Sequence, residues 1–163
     1  MIHYRNEVRQ SGLDARKVKR TARKLLGEVG ERDSALSISF VDDVTIRRLN
    51  HLHRGKDRAT DVLSFPLIAL RGALPRASLD GLGTGPQDDT PERLLGDIVI
   101  SVETARRQAA AYGAKTEAEV ERLLIHGLLH IVGHDHEAED DARRMRAEER
   151  RLADAIGLAW PYD

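Results

Sequence analysis

The chain contains no cysteine. That absence excludes disulfide bridges and thiolate metal ligands, and it fits a reducing compartment. No stretch approaches the roughly 18 consecutive apolar residues of a membrane span, and the N-terminus lacks the apolar core of a signal peptide. The expectation is a chain with no membrane partner. Net charge is nearly absent as well: 26 Lys and Arg stand against 27 Asp and Glu. The balance hides a basic N-terminal segment (Arg5, Arg9, Arg16, Lys17, Lys19, Arg20, Arg23 and Lys24) and an acidic run at Glu137, Glu139, Asp140 and Asp141.

At 163 residues, 40% of them hydrophobic and 33% charged, the chain is long enough for one soluble domain with a real core. Residues 2–8 alternate loosely as a first strand. Leu13 to Val29 carries an apolar stripe of Leu13, Val18, Ala22, Leu25, Leu26 and Val29 and reads as a helix. Its basic residues are candidates for nucleic-acid contact, or form an ordinary solvated face. Ala35 to Val41 alternates as a strand with one buried face. Asp42 or Asp43 caps a helix to about His53, with Val44, Ile46 and Leu49 among its apolar positions. Thr60 to Pro66 reads as a strand near a sheet edge, because Pro66 cannot donate to a ladder. Leu94 to Ser101 is largely apolar and reads as a central strand.

Between these last two strands, Leu67 to Arg93 is rich in Gly and Pro and reads as a long flexible loop within the domain. A helix follows over Val102 to Tyr112. Thr116 with Glu119 forms a capping-box signature for the next helix, and a charged helix covers Asp140 to Ile156 with Met145, Leu152 and Ile156 inward. The order β-α-β-α-β-loop-β-α-α-α implies an α+β domain: a sheet of about four strands packed by helices. It leaves the strand order open.

Four of the seven histidines fall between His126 and His136. Neutral imidazole is the commonest protein metal ligand. His126 and His130 are one helical turn apart on one face, the spacing of the zinc-protease helix. On a straight helix His134 would lie about 12 Å beyond His126, too far for one ion. Gly133 offers a left-handed break that returns His136 to the first two. The metal ligands expected are therefore His126, His130 and His136, with His134 outside the set. Three protein ligands leave an open position, which is the catalytic pattern.

A metal in such a site activates water, so the expected reaction class is hydrolysis. A zinc protease carries its general base, a Glu, directly after the first His. Here that residue is Gly127, which argues against peptide hydrolysis. Asp135 and Asp97 are possible substitutes, though each fits a supporting or turn role better. A phosphodiester needs cationic help for its transition state, and Arg54 in the turn before Thr60 is the candidate catalytic residue.

Three blocks of the sequence also resemble a known family. They are Leu49-Asn50 through Arg54 leading into Thr60-Asp61-Val62-Leu63-Ser64-Phe65-Pro66, then Leu95-Gly96-Asp97-Ile98-Val99-Ile100-Ser101, and finally His126 to His136. In this order they resemble the bacterial YbeY family of metal-dependent endoribonucleases, over the chain from about Phe40 onward. The resemblance implies a small zincin-like α+β domain with the histidine helix in its core, metal ligands at His126, His130 and His136, and an important arginine at Arg54. It further implies one Zn2+ ion, a cytoplasmic location, and RNA as substrate. The work expected is single-strand-specific cleavage in ribosomal RNA maturation, at the 3′ end of the small-subunit RNA, and in ribosome quality control. The ribosome or its proteins are then the expected partners.

Imidazole suits other transition metals, so zinc is not the sole choice. The sequence leaves the oligomeric state open. Two departures from the family pattern are His53, where an aromatic residue is common, and the long stretch from Leu67 to Arg93. The alternatives are a metalloprotease-like peptidase, and a ribosome-associated binding factor whose metal is structural.

Overall fold

The computed structural model describes residues 1–67 and 93–160. Four strands and five helices lie among them: β1 (Ile2–Asn6), α1 (Ala15–Glu28), β2 (Ala35–Val41), α2 (Asp43–Arg54), β3 (Val62–Pro66), β4 (Leu94–Ser101), α3 (Val102–Ala111), α4 (Thr116–Ile131) and α5 (Glu139–Ile156). This is an α+β architecture in the order read from the sequence. The loop expected between Leu67 and Arg93 falls, apart from its two end residues, outside the described residues.

The sheet order is β1-β2-β4-β3. The first two pairings are parallel and β3 runs antiparallel to β4, so the sheet is mixed. Strand β4 is central and β3 is an edge, as Leu94–Ser101 and Pro66 suggested. Alternation divides the side chains between two faces. Leu36, Ile38 and Phe40 of β2 and Ile98 and Ile100 of β4 enter the main core with α1, α4 and α5. Val41, Leu63 and Val99 enter a smaller core with Ile46 of α2.

Helix α4 is apolar on most of its circumference, and Val120, Leu123, Leu124, Ile125, Leu128, Leu129 and Ile131 are all buried. A helix of that kind must sit inside a protein. It lies against β3 and β4 on one side and against α3 and α5 on others.

Local chemistry sets the helix ends. Asp42, not Asp43, caps α2, its carboxylate accepting from Thr45 N at 2.8 Å. Asp43 instead joins α2 to the start of α3. Its Oδ1 accepts from the hydroxyls of Ser101 and Thr104 at 2.6 Å each, and its Oδ2 from Arg107 at 2.8 Å. Glu103 returns the bond, accepting from Asp43 N at 2.9 Å. Two helix N-termini are thus tied by reciprocal carboxylates, each placed where the helix dipole favours it.

One local expectation fails. The capping box at Thr116 does not form: Lys115 is the N-cap, with no side-chain cap bond. Glu119 is buried and bonds Arg122 at 2.6 and 3.0 Å instead. A charge-assisted bond inside the protein outweighs one to a backbone amide at a helix end. Of the apolar positions of α2, Ile46 is buried and Val44 is 59% exposed, while the polar Asn50 is buried beside Ile46 on the same helix.

Candidate metal centre

The last turn of α4 shapes the site. Helix α4 ends in a Schellman motif: Gly133 N donates to His130 O at 3.2 Å and His134 N to Leu129 O at 2.9 Å. Gly133 has φ +104, a left-handed conformation that side-chain-bearing residues rarely adopt. The chain turns back there, as its sequence position implied. Asp135 holds the returning segment, its carboxylate accepting from His136 N at 2.7 Å and Glu137 N at 3.3 Å. It is a turn residue.

His126, His130 and His136 line one cleft of about 380 Å³, together with Arg54, Thr60, Asp61, Val62, Ser64 and Pro66. All four residues singled out from the sequence therefore meet here. Asp97 does not. Its neighbour Ile98 faces α4 at Gly127, so Asp97 points to the opposite face, where its pairing partner Phe65 packs under α2. His53, one of the departures, rests edge-on against Phe65 at 5.1 Å, on that same far face. His134 is not among the residues that line the cleft; its backbone carbonyl meets His130 Nδ1. No residue of α1 lines the cleft. Lys17 pairs with Glu117 at 2.7 Å, Lys19 lies 5.8 Å from the Tyr4 ring centre, and Arg16, Arg20, Arg23 and Lys24 are exposed.

The Nε2 atoms of His126 and His130 are 3.1 Å apart. What each ring's other nitrogen does decides the meaning of that contact. His130 Nδ1 lies 3.1 Å from the carbonyl of His134, which can only accept, so Nδ1 carries the proton. His126 Nδ1 lies 3.2 Å from Glu149 Oε1 and is fixed in the same way by a carboxylate. With both rings neutral, the two Nε2 atoms present lone pairs to each other, an arrangement that calls for a cation. Tetrahedral ligation at roughly 2.0–2.1 Å would set two nitrogens about 3.3–3.4 Å apart, close to the spacing found.

Burial pushes the His130 pKa below its ordinary value. The neighbouring His126 and His136 add to this and outweigh the His134 carbonyl and Asp135. The shift favours the neutral form, which a metal needs. The His136 ring centre lies 5.2 Å from that of His130 and 6.1 Å from that of His126. Among the described residues no three His, Asp or Glu side chains are drawn to metal-ligand distance of one point. The pair on α4 is in place, and His136 stands beside it on the returning segment. Imidazole donors, with Nδ1 engaged on His126 and His130, suit a borderline transition-metal ion.

Arg54 reaches the cleft around the edge of the sheet. Leu67 N bonds Leu95 O and Ser101 N bonds Asp61 O, so the alternate residues Val62, Ser64 and Pro66 turn their backbone groups to the open edge. Arg54 Nη2 donates to Ser64 O on that edge at 3.1 Å. The Val62 amide is taken by Asp61 Oδ1 at 2.8 Å, and Pro66 has none to offer.

Gly127 has a packing role in addition to what its missing side chain implies. A Cβ there would lie 3.0 Å from Ser64 Oγ and 3.1 Å from Ile98 Cγ2. The Ser64 hydroxyl donates to Gly127 O at 3.1 Å across the same gap. The position of the protease's Glu is therefore closed by a strand.

Glu149 is the site residue that sequence reasoning missed. It stands 23 positions beyond His126, but a local signal existed. It occupies the inward stripe of α5, between Met145 and Leu152, where an apolar residue belongs.

An α+β domain with paired histidines facing a cationic edge has recognisable kin. The solution structure of TM1509 from Thermotoga maritima matches with a TM-score of 0.60, covering 96% of this chain and 90% of its own at 24% identity; that likeness shows the fold. The family model described as Endoribonuclease YbeY matches residues 3–157. Curated relatives bearing the name Endoribonuclease YbeY include one from Myxococcus xanthus, 51% identical over 76% of this chain. Others come from an Anaeromyxobacter species, 45% identical over 88%, and Caldanaerobacter subterraneus, 38% identical over 93%. The chain spans 37%, 66% and 92% of the lengths of these three. The chain belongs to the YbeY family.

Proposed function

We propose that this protein is a metal-dependent endoribonuclease that cleaves single-stranded RNA in ribosomal RNA maturation. His126, His130 and His136 hold one transition-metal ion, taken as zinc, and Arg54 is the catalytic cation. The observation that carries the reading is the 3.1 Å approach of two Nε2 lone pairs in a cleft that also holds Arg54. The names of the relatives, Endoribonuclease YbeY, supply the substrate class. The 3′ end of the small-subunit RNA, ribosome quality control, a ribosomal partner and a cytoplasmic location belong to the same proposal. No helix among the described residues is long and apolar enough to cross a membrane.

A bound ion supplies Lewis acidity and an activated water. The chain supplies the rest. The His134 carbonyl and the Glu149 carboxylate keep protons on the two Nδ1 atoms and so aim both Nε2 atoms into the cleft. Arg54 spends one N–H on Ser64 O, and among the described residues its remaining donors are free to meet phosphate oxygens as charge builds in the transition state.

The peptidase alternative loses support at two points. Gly127 lacks the general base and is packed against the side chains of Ser64 and Ile98, which a larger residue there would crowd. A peptide adding as a strand to the β3 edge needs the open carbonyls of that edge, and Arg54 occupies the one at Ser64.

The test is an assay of the purified full chain on ribosomal RNA and on casein, with and without chelator. RNA cleavage that chelator abolishes, that is lost in His126→Ala, and that has no counterpart on casein is the expected result. Equal RNA cleavage with chelator, or robust casein hydrolysis, overturns the proposal.

A further inference from the structure

We propose that Glu149 is a positioning residue of the histidine centre, acting through His126. This rests on the metal reading above and assigns a role to a helix outside the three recognised blocks.

Helix α5 buries Met145, Leu152 and Ala153, at 1%, 0% and 0% exposure. Position 149 is four after Met145 and three before Leu152, on the same stripe, where packing alone asks for an apolar side chain. The chain places a carboxylate there, its side chain only 12% exposed. A carboxylate so placed is costly unless a partner meets it. The structure gives it one: Oε1 stands 3.2 Å from His126 Nδ1.

The geometry has a chemical consequence. A carboxylate at Nδ1 fixes the proton there, leaves Nε2 as the donor atom and makes that nitrogen a stronger base. His130 receives only a backbone carbonyl at the same position. The two ligands are therefore oriented by different means: His130 by the turn that ends its own helix, His126 by a carboxylate from a separate one. Correct seating of α5 on α4 becomes a condition for metal affinity. A plain ion pair that fastens α5 to α4 would show no such link.

The experiment uses the metal-depleted full chain, titrated with Zn2+ against a competing chelator, as wild type, Glu149→Gln and Glu149→Leu. Glu149→Gln keeps size and reach but loses charge, and its Kd is expected to rise about tenfold; Glu149→Leu is expected to lose nearer a hundredfold, the usual range for removing such an orienting group. Leucine completes the apolar stripe, so the metal-free Glu149→Leu chain is expected to melt no lower than wild type. Nitrogen-15 NMR of metal-free wild type is expected to show His126 as the Nδ1–H tautomer, with that preference reduced in Glu149→Leu. If Glu149→Leu fails to fold, Glu149→Gln decides. Wild-type Zn2+ affinity in both folded variants overturns the role of Glu149 and leaves the proposed function standing. A wild-type chain that takes up no Zn2+ overturns both.

Discussion

The Ser64 hydroxyl donates to the Gly127 carbonyl at 3.1 Å, and this bond fixes how closely the histidine helix lies on the edge strand. Strand β3 carries the Arg54 contact at the same residue, Ser64. Arginine and histidines therefore share one reference point, although they come from α2 and α4 on opposite sides of the sheet.

Close approach makes two glycines intolerant, to different degrees. A Cβ at Gly96 would sit 2.4 Å from the Phe65 carbonyl oxygen, a backbone atom. At Gly127 the obstacles are side chains at 3.0 and 3.1 Å, which can give a little. Gly127→Ala is expected to cost about 1–3 kcal/mol, as overpacked sites do, and Gly96→Ala more. Urea unfolding of both variants checks the order; a reversal would mean that the helix, not the strand, is the rigid partner.

Arg54 is exposed and its bond to Ser64 O is a single one. Arg54→Ala is expected to leave the melting temperature nearly unchanged and to lower RNA cleavage by about 10²–10³-fold, the scale of a lost transition-state donor. Arg54→Lys is expected to recover only part, because an ammonium cannot hold Ser64 O and span a phosphate together. Full activity in Arg54→Ala would remove the residue from the chemistry.

Asp43 gives an acid-limb prediction. Burial opposes its ionisation, but the bonds from Ser101, Thr104 and Arg107 outweigh burial and hold its pKa below the ordinary value of 3.8. Its folded-state pKa is thus lower than its unfolded one. The stabilisation is fully present above the unfolded value and is lost as pH falls through the folded one. Asp43→Asn is expected to lower stability at pH 7 by on the order of 1–3 kcal/mol, and to narrow its gap to wild type as the pH falls below about 4. A gap independent of pH down to pH 2 would show that charge at residue 43 is not what ties α2 to α3.

Much of this was legible in the sequence where the signal is local. Strands β2 and β4 have the bounds read from Ala35 to Val41 and Leu94 to Ser101, since alternation and unbroken apolarity each leave one reading. The turn at Gly133 was legible because a left-handed cap has a preferred residue. Contacts across the chain were not. Nothing local orders the sheet β1-β2-β4-β3. Glu119 left its capping box for Arg122 because burial changed which bond was stronger. Glu149 was hidden among the many charges of α5, and only the stripe it interrupts gave it away. Gly127 was read for the base it lacks, while the close packing it permits depends on Ser64, 63 residues away.

Metal content of the chain decides whether the two facing imidazoles are a metal centre. Wild type, His126→Ala and His130→Ala are each depleted, incubated with Zn2+, freed of excess and analysed for metal per chain. About one ion in wild type and less than a tenth of that in either variant is the expected result. Equal metal in all three would contradict the centre described here.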